Sequence, residues 1–390
     1  MSISLENVFV QVGEQYKMKL LAGKNGCSTS IDWVHLVEDS TVIQFLWSND
    51  LVITLGVSFQ TEETLMDCVK RLIKRHCAGL IINTGKYILE VPQTVIDYCE
   101  ENDFPLITMP WEINVGTVTK DITIRCIQAQ NEDRQIAQYF ISAFTDPDSI
   151  ENHRQELMTY FDVDGDFSVV LIQVENAHKY SDLQLQRVSA RIRYYFENIN
   201  CKYLLFWYDT YLVLLANNIA IEDLYNLTQR MYNRASRKMP EYPLNIGLGS
   251  NMKDLHSVSK NYKRAKAALK ASLEFKQPIV KFNELGINKI LLTMDDQDIL
   301  KEIYLESLSP LLEYDEKHHT DLTNTLECYL KNNGSIQQIS KEMFTHRNTV
   351  NYRVSKIKEL LNTNLDNAEE LFKYNLAFYI KKLNDFSIQK

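Results

Sequence analysis

Two closely spaced helical stretches near the C-terminus restrict the fold more than any other feature of this sequence. Apolar residues recur at helical spacing from Leu322 to Leu330. Asn333-Gly334 then ends that helix, because glycine tolerates the left-handed backbone that follows a helix. Ser335 is a good N-cap for the next helix, and Gln338 completes a capping box with it. This pattern predicts two helices separated by a short break.

A third helix follows almost at once. The second helix covers 336–343, Phe344-Thr345 forms a turn, and the third helix starts at His346 and ends near Leu361. At about 100° per residue its apolar residues form one buried stripe. Its other face is polar and basic, and the candidate DNA-contacting residues on and beside that face are Arg347, Asn348, Thr349, Asn351, Tyr352, Arg353, Ser355, Lys356 and Lys358.

The charge distribution points to double-stranded DNA as the partner of this helix. The whole chain has a net charge of −9. The window 341–358 nevertheless holds five cations against the single acid Glu342. Amides in the middle of such a helix hydrogen-bond base edges in the major groove, and flanking cations contact phosphates. The alternatives are an ordinary amphipathic surface helix and a helical domain that docks protein instead of DNA.

The N-terminal part alternates strand-like and helix-like segments. Continuous apolar strands separated by helices indicate a parallel sheet covered by helices. The predicted strands are 51–56, 79–83 and 104–109, and the predicted helices are 62–76 and 91–101.

The middle of the chain has a different order of elements. A long helical pattern runs from 117 to 160 and is broken near Asp146-Pro147. The β-α-β-β-α-β-α order beyond it is that of a ferredoxin-like unit. Its predicted elements are strand 167–174, helix 183–197, strands 202–207 and 211–216, helix 221–238, strand 244–249 and helix 255–272. Everything after 288 reads as helical, so the chain is predicted to combine α/β domains with an all-α domain.

These features resemble the PucR family of purine-catabolism-type regulators. The C-terminal resemblance lies in Gly334-Ser335, His346–Val350, Tyr352-Arg353 and Lys358–Leu361, although Thr345 replaces an apolar residue and Phe344 stands where glycine is frequent. The N-terminal part resembles the sensory domain of that family, and the middle part resembles its GGDEF-like domain. The segments behind the N-terminal resemblance are Leu51–Gly56, Ala78–Ile82, Gly85–Tyr87, Val91-Pro92, Asn102–Ile107 and Pro110-Trp111.

The resemblance implies a transcriptional regulator, usually an activator, that responds to a small metabolite and works as a homodimer or higher homo-oligomer. Two subunits would then read half-sites about one helical turn, or a multiple of it, apart. The expected domains are an α/β sensory domain at 1–125, a helical linker at 126–160, a degenerate GGDEF-like domain at 161–286, a helical connector at 287–320 and a helix-turn-helix domain at 321–390.

An enzyme is the rival interpretation, and the sequence argues against it. A GGDEF-type cyclase needs two glycines and paired acids in its hairpin to admit phosphates and hold a divalent metal. The hairpin here, Trp207–Tyr211, has one acid and no glycine. We therefore predict no catalytic residues, no cofactor and no metal. The seven scattered cysteines contain no C-x-x-C pair and predict reduced thiols.

No stretch is apolar and long enough to span a bilayer, and the first residues do not form a signal peptide, so a cytoplasmic protein without membrane contact is expected.

The last expectation concerns the small-molecule effector. Ligands of open α/β sheets bind beyond the carboxyl ends of the strands. The candidate ligand-binding residues at those ends are Gly56, Asn83, Thr84, Gly85, Lys86 and Trp111. The alternative is that they are simply turn residues, as glycine and asparagine often are.

Overall fold

The computed structural model describes residues 3–196, 201–294 and 296–383. The chain divides into two compact units, 1–269 and 270–390.

The first sheet lies in the N-terminal part of the first unit. The elements of this part, in chain order, are β1 (Ile3–Ser4), α1 (Leu5–Val12), β2 (Lys19–Ala22), β3 (Ser30–Ile31), β4 (Trp33–Leu36), β5 (Asp50–Thr54), α2 (Glu62–Arg75), β6 (Gly79–Thr84), α3 (Gln93–Glu101) and β7 (Leu106–Pro110). The sheet order is β2-β7-β6-β5-β4. Strands β4 to β7 are parallel, whereas β2 joins β7 antiparallel.

Helices bury both faces of this sheet, which explains its continuous apolar strands. Alternate strand residues point to opposite faces. Val52, Leu80 and Ile82 pack with residues of α2 and α3 in one core. Ile53 and Ile81 pack with residues of α1 in a second core on the other face.

The second sheet completes the first unit. The elements of this part, in chain order, are α4 (Val115–Thr145), α5 (Arg154–Leu157), β8 (Asp166–Val174), α6 (Asp182–Phe196), β9 (Lys202–Tyr208), β10 (Tyr211–Asn217), α7 (Ile221–Lys238), β11 (Leu244–Leu248), β12 (Met252–Lys253) and α8 (Ser257–Glu274). Strands β11, β8, β10 and β9 lie side by side and antiparallel, and β12 also pairs with β8. The predicted ferredoxin-like order is confirmed.

The long helix α4 belongs to both halves of the first unit. It is continuous over 31 residues. Val118, Ile122 and Cys126 lie in the core of the first sheet. Phe140 and Phe144 lie in the core of the second sheet. One rigid helix therefore contributes to two separate cores.

The second unit is mainly helical. Its elements are β13 (Ile279–Lys281), α9 (Asn288–Thr293), α10 (Gln297–His318), α11 (Leu322–Lys331), α12 (Ile336–Glu342), α13 (Arg347–Leu361) and α14 (Ala368–Leu383). Helix α10 packs against α11, α13 and α14. The segment predicted as a connector is thus an integral part of the helical bundle.

The predicted fold class is confirmed, and several local predictions need correction. The sequence did not reveal β1 to β4 and α1, so the predicted parallel sheet lacked both of its edges. The break predicted near Asp146-Pro147 is confirmed, because α4 ends at Thr145. Beyond it, a 3-10 segment, Pro147–His153, and the short α5 replace the helical pattern predicted to run to 160. No helix among the described residues is long and apolar enough to cross a membrane.

Candidate nucleic-acid interface

Helix α13 is fixed to the bundle by one buried stripe. Val350, Val354 and Ile357 are buried, as the periodicity predicts. Val350 and Val354 share a small core with Cys328 of α11 and Ile339 of α12. This packing holds the helix in a fixed orientation, which a helix needs if it is to keep register on a ligand.

The opposite face of α13 is exposed, and none of the described residues covers it. Six of the nine predicted contact residues are exposed: Arg347, Asn348, Thr349, Asn351, Tyr352 and Ser355. They form one continuous polar surface with hydrogen-bond donors, acceptors and a cation. The helical arrangement brings them together as the sequence predicts.

The three remaining predicted residues lie half-buried at the flanks. The Nη1 atom of Arg353 lies 3.5 Å from Oγ1 of Thr325 in α11. The Nζ atom of Lys356 lies 2.8 Å from Oε1 of Glu359 and 5.5 Å from the ring centre of Tyr314. Arg353 and Lys356 therefore contact their own protein, which the periodicity of α13 alone did not show.

The start of α13 differs by one residue from the prediction. His346 is the N-cap, with an extended backbone, and the helix begins at Arg347. The backbone N–H of Asn348 donates to Nδ1 of His346 at 3.3 Å. The helix N-terminus carries a partial positive charge, which favours a nearby anion.

The turn between α12 and α13 has an unusual residue. Phe344 has a left-handed backbone with φ 50°, and it is 98% exposed. The hydroxyl of Ser340 donates to the carbonyl of Thr345 at 2.6 Å and closes the turn. At the preceding break Asn333 and Gly334 are both left-handed, as expected. The capping box predicted at Ser335 is wrong, because no side-chain hydrogen bond caps α12.

The single acid of the basic window is paired. The Nζ atom of Lys331 lies 2.6 Å from Oε1 of Glu342, and Nδ2 of Asn332 donates to Oε2 at 2.8 Å. These hydrogen bonds, first that of Lys331, lower the pKa of Glu342. Among the described residues, Arg347 and Lys358 take part in no ion pair. The two cations that flank the exposed face are therefore available for phosphates.

The predicted effector residues lie next to one another at the carboxyl ends of β5, β6 and β7. Their polar groups already have partners inside the protein. Nδ2 of Asn83 donates to the carbonyl of Pro110 at 2.9 Å. The hydroxyl of Thr84 donates to the carbonyl of Met109 at 3.4 Å, and the Gly85 N–H to that of Ile88 at 2.8 Å.

A carboxylate that the sequence analysis missed occupies the end of β5. The backbone N–H groups of Leu55 and Val57 donate to Glu38 at 2.5 and 2.9 Å, and the Gly56 N–H donates to the Thr54 hydroxyl at 3.0 Å. The backbone donors expected for a ligand are thus bound to Glu38 and Thr54. Sequence spacing gave no signal for this, because Glu38 belongs to a different segment.

Lys86 and Trp111 are the two effector candidates whose side chains face each other. The Nζ atom of Lys86 lies 4.9 Å from the ring centre of Trp111 and 5.0 Å from that of Tyr87. The two rings meet edge to face, with their centres 5.7 Å apart. This arrangement offers an aromatic wall and a cation at one end of the sheet.

Aromatic side chains fill the face of the β9–β10 hairpin. The rings of Phe144 and Tyr262 are stacked with their centres 4.0 Å apart. The ring of Tyr208 lies 5.8 Å from that of Tyr262. Burial, followed by the nearby Tyr208, Tyr211 and Asp209, raises the pKa of Tyr262. The turn itself is Asp209-Thr210, with Asp209 left-handed at φ 53°.

The cysteines are free thiols, and all but Cys201 are buried. Burial raises the pKa of Cys99 to about 12 and that of Cys126 to about 12. Such thiols stay protonated at neutral pH and are poor nucleophiles and metal ligands. Within the described ranges no cluster of three His, Cys, Asp or Glu side chains could hold a metal ion.

Comparison with protein families decides the relationship of the chain. Residues 10–125 match the purine catabolism regulatory protein-like (PucR) family, residues 146–271 match the GGDEF-like domain, and residues 322–380 match the PucR C-terminal helix-turn-helix domain. The chain belongs to the PucR family. The resemblance inferred from HRNTVNYR and the N-terminal segments is confirmed.

Three relatives from Bacillus subtilis (strain 168) are similar to parts of this PucR-family chain. The purine catabolism regulatory protein is 27% identical over 32% of this chain and 24% of its own length. The DNA-binding transcriptional activator AdeR is 27% identical over 36% of this chain and 34% of its own length. The proline-responsive transcriptional activator PutR is 31% identical over 33% of this chain and 32% of its own length. The aligned segments thus span about a quarter to a third of each relative.

The PucR helix-turn-helix match contains the entire exposed face described above. It begins at residue 322, where α11 begins, and includes α12 and α13. Thr325, which lies inside this match, and Tyr314, which precedes it in α10, are the partners of Arg353 and Lys356 that the sequence did not reveal. Only the packing of α10 and α11 against α13 places them there.

Proposed function

We propose that this PucR-family protein is a DNA-binding transcriptional regulator that reads the major groove with α13. The observation that carries the proposal is the exposed polar face of α13, held opposite a buried stripe in a PucR-type helix-turn-helix domain. A helix of this kind fits the major groove and presents its first turns to base edges.

The exposed residues take different roles in this proposal. Asn348, Asn351 and Ser355 hydrogen-bond base edges, since an asparagine amide pairs well with adenine. Arg347 and Lys358 contact phosphates, together with Thr349 and Tyr352 at the edges of the face. Arg353 and Lys356 reach phosphates from the flanks while they retain contacts with α11 and α10.

Selection of genomic fragments by the purified protein tests the proposal. We expect wild type to select a few fragments and Arg347→Ala plus Asn351→Ala to lose that selection. A matched control, Lys373→Ala plus Asn375→Ala, removes one cation and one amide from exposed positions of α14 and should keep the selection. Equal loss in both double variants would mean that general charge, not α13, determines binding.

The salt dependence of binding separates DNA recognition from docking to a protein partner. Binding that releases counterions from several phosphates weakens steeply as salt rises. We expect a steep slope for wild type, and a slope smaller by about 1 for Arg347→Ala. If no fragment is selected at modest salt, with or without metabolites, the helical domain docks protein and the DNA proposal fails.

The protein acts as a homodimer or higher homo-oligomer in this proposal. A single α13 reads only one half-site, and symmetric pairing of two helices about one DNA turn apart supplies the remaining specificity. Light scattering with and without a selected fragment measures the subunit number. A monomer that binds with full selectivity would contradict the pairing.

A small metabolite controls this activity, and we propose that it binds at the strand ends beside Gly56, Asn83, Thr84, Gly85, Lys86 and Trp111. The aromatic wall and cation formed by Trp111 and Lys86 favour this site. The names of two relatives suggest purine bases and proline as probes. Trp111→Leu and Lys86→Met should abolish the response of DNA binding to an active probe. An unchanged response in both variants would remove the site from consideration.

The GGDEF-like domain serves as a structural or interaction domain in this proposal, not as a cyclase. The stacked rings of Phe144 and Tyr262 occupy the hairpin face, and the turn Asp209-Thr210 supplies only one acid. Incubation with GTP and Mg²⁺ should give no turnover. Sustained metal-dependent turnover would overturn this part of the proposal.

A further inference from the structure

A basic cleft lies within the first unit, near the starts of β5 and β6, whereas the effector residues discussed above lie at the carboxyl ends of these strands. The C-terminal end of α2, one face of α6, the C-terminal end of α7 and the segment 43–48 line it. It consists of two adjoining cavities of about 430 Å³ and about 460 Å³. Both cavities are lined by Gln44, Arg75, Arg191 and Lys238, so they form one continuous site.

Cations dominate the lining of this cleft. The positively charged lining residues are Arg71, Lys74, Arg75, Arg187, Arg191 and Lys238. Glu241 is the one acid that lines either cavity. Arg71 is paired with Asp67, with Nε 2.7 Å from Oδ2. Within the described part of the chain, the other five cations form no ion pair.

Helix ends explain only part of this charge. Lys74 and Arg75 lie in the last turn of α2, and Lys238 lies in the last turn of α7. Cations at such positions complement the partial negative charge of a helix C-terminus, which is about half a unit. Two helix ends therefore offset about one positive charge of the five. Arg187 and Arg191 protrude from the middle of α6, where no helix end balances them.

His76 reports the same excess of positive charge. Its ring packs against that of Tyr194, with their centres 4.5 Å apart. Burial, and then the charges of Arg191 and Lys238, lower the pKa of His76. Of the groups that face it, Arg71, Lys74, Arg75, Arg191 and Lys238 are cations. The imidazole is therefore neutral at pH 7 and adds no further charge.

Aromatic and aliphatic surfaces accompany the cations. Trp47 and Tyr242 line the cavity of about 430 Å³. The guanidinium of Arg187 lies 5.8 Å from the ring centre of Trp47. Cavities of this size hold small molecules, whose flat rings pack on aromatic side chains. Arginine binds phosphate groups through two parallel hydrogen bonds.

We propose that this cleft binds a small phosphorylated metabolite of the nucleotide class. The phosphates contact Arg75, Arg191 and Lys238, and the planar ring packs beside Trp47 and Tyr242. Such a ligand neutralises cations from α2 on one side and from α6 and α7 on the other, and so ties these helices together. The inference goes beyond the proposed function and does not require that α13 bind DNA.

Calorimetric titration of the full chain tests the proposal with four probes: ATP, GTP, inorganic tripolyphosphate and guanosine. We expect the nucleotides to bind, tripolyphosphate to bind more weakly, and guanosine to give no signal. Arg191→Gln plus Lys238→Gln should weaken nucleotide binding by at least about 30-fold, since hydrogen bonds to charged groups contribute strongly. The control Arg230→Gln plus Arg234→Gln removes equal charge from exposed positions of α7 and should bind as wild type does.

A second readout follows the charge of His76. A bound anion offsets Arg191 and Lys238, so the pKa of His76 should rise when a nucleotide binds, which NMR titration of its ring protons measures. Intact circular dichroism of the variants separates loss of binding from loss of folding.

The outcomes are distinct. No binding of any phosphate probe at about 1 mM, or equal binding by wild type and Arg191→Gln plus Lys238→Gln, overturns the proposal. Tripolyphosphate binding as tightly as the nucleotides overturns the ring contact and leaves an anion site. If no small anion binds and the double variant weakens binding to DNA fragments, the cleft contacts the DNA backbone and the proposal is wrong. Failure of α13 to bind DNA would leave these titrations unaffected.

Discussion

Phe344 combines a strained backbone with an unprotected ring. Its φ of 50° is rare for a bulky residue, and its side chain is 98% exposed. Phe344→Gly should raise the free energy of unfolding of the second unit by about 0.5–1 kcal/mol, because glycine adopts this backbone without the Cβ clash. Chemical denaturation measures the change.

Phe344→Ala is the control, because alanine keeps the backbone strain and loses the ring. It should change the free energy of unfolding by less than about 0.5 kcal/mol, as exposed positions usually do. A loss of stability in both variants would show that the ring makes contacts that stabilise the fold. If Phe344→Gly gains stability and loses DNA affinity, the ring contacts DNA, where a thymine methyl is a suitable apolar partner.

The sequence predicts single residues well where local geometry alone decides their position. The helical period of α13 separates its buried stripe from its exposed face, and both are found as predicted. The period does not reveal that Arg353 reaches Thr325, or that Lys356 lies over Tyr314. Those contacts depend on the packing of other helices against α13. In the same way, the position of Glu38 at the end of β5 depends on the packing of the sheet and could not be predicted from the sequence.

The connection between α10 and α11 depends on one carboxylate. Oδ1 of Asp315 accepts from the Thr320 hydroxyl at 2.6 Å and the Leu322 N–H at 2.7 Å, and Oδ2 accepts from the N–H and hydroxyl of Thr323 at 2.8 Å each. It thereby caps the N-terminus of α11, where the side chain of Asp321 makes no cap. Asp315→Asn should lower the free energy of unfolding by about 1–2 kcal/mol at pH 7.

The same carboxylate should make this connection sensitive to acid. Burial alone raises the pKa of Asp315, but the hydrogen bonds from Thr320, Leu322 and Thr323 together lower it. A lowered folded-state pKa gives stability that is present above the unfolded value, about 3.9, and is lost as pH falls through the folded value. The difference in the free energy of unfolding between wild type and Asp315→Asn should therefore shrink below about pH 4. Hydrogen exchange at the Leu322 and Thr323 amides measures it.

The control for this prediction is Asp321→Asn, which changes the neighbouring acid at the formal N-cap position. The side-chain carboxylate of Asp321 accepts from Nδ2 of Asn324 at 3.2 Å, and Asp321 is exposed. Asp321→Asn should lower the free energy of unfolding by less than about 0.5 kcal/mol. An equal loss in both variants would assign the effect to general charge at the helix N-terminus.

Whole elements could be predicted where burial on both faces or a clear helical period marks them. Strands β5, β6 and β8 and helices α2, α7 and α13 are of this kind. Strand β4 was not predicted because it is short and lies at an edge of the sheet, with Trp33 and Leu36 exposed. Caps were less predictable, because several side chains compete for each helix end. At the start of α14, for example, Oδ1 of Asn367 accepts from the Glu369 N–H at 2.9 Å, although the neighbouring Asp366 could also cap a helix.

At the scale of the first unit, α4 couples two hydrophobic cores. Cys126 is the last of its residues in the first core, and Ile136 is the first in the second core. The ten residue steps from Cys126 to Ile136 span about 15 Å of continuous helix. Neither core can change its position relative to this helix without disturbing the other, so the two sheets should unfold together.

A proline at Gln128 tests this coupling, because it interrupts α4 between the two cores. Gln128 is exposed, so the substitution removes no buried contact. Proline inside a helix costs about 3 kcal/mol or more, since it removes a backbone hydrogen bond and clashes with the preceding turn. We expect the melting temperature of the first unit to fall by roughly 6–12 °C, and its single transition to split in two.

The control Gln128→Ala keeps the helix and should melt within about 2 °C of wild type, because alanine is a good helix former at an exposed site. Circular dichroism follows both sheets, and tryptophan fluorescence adds a local signal from the four tryptophans, Trp33, Trp47, Trp111 and Trp207. A split transition in the proline variant alone means that α4 carries the cooperativity between the cores. Coincident transitions at an unchanged temperature in both variants would mean that direct contacts between the two halves hold them together without α4.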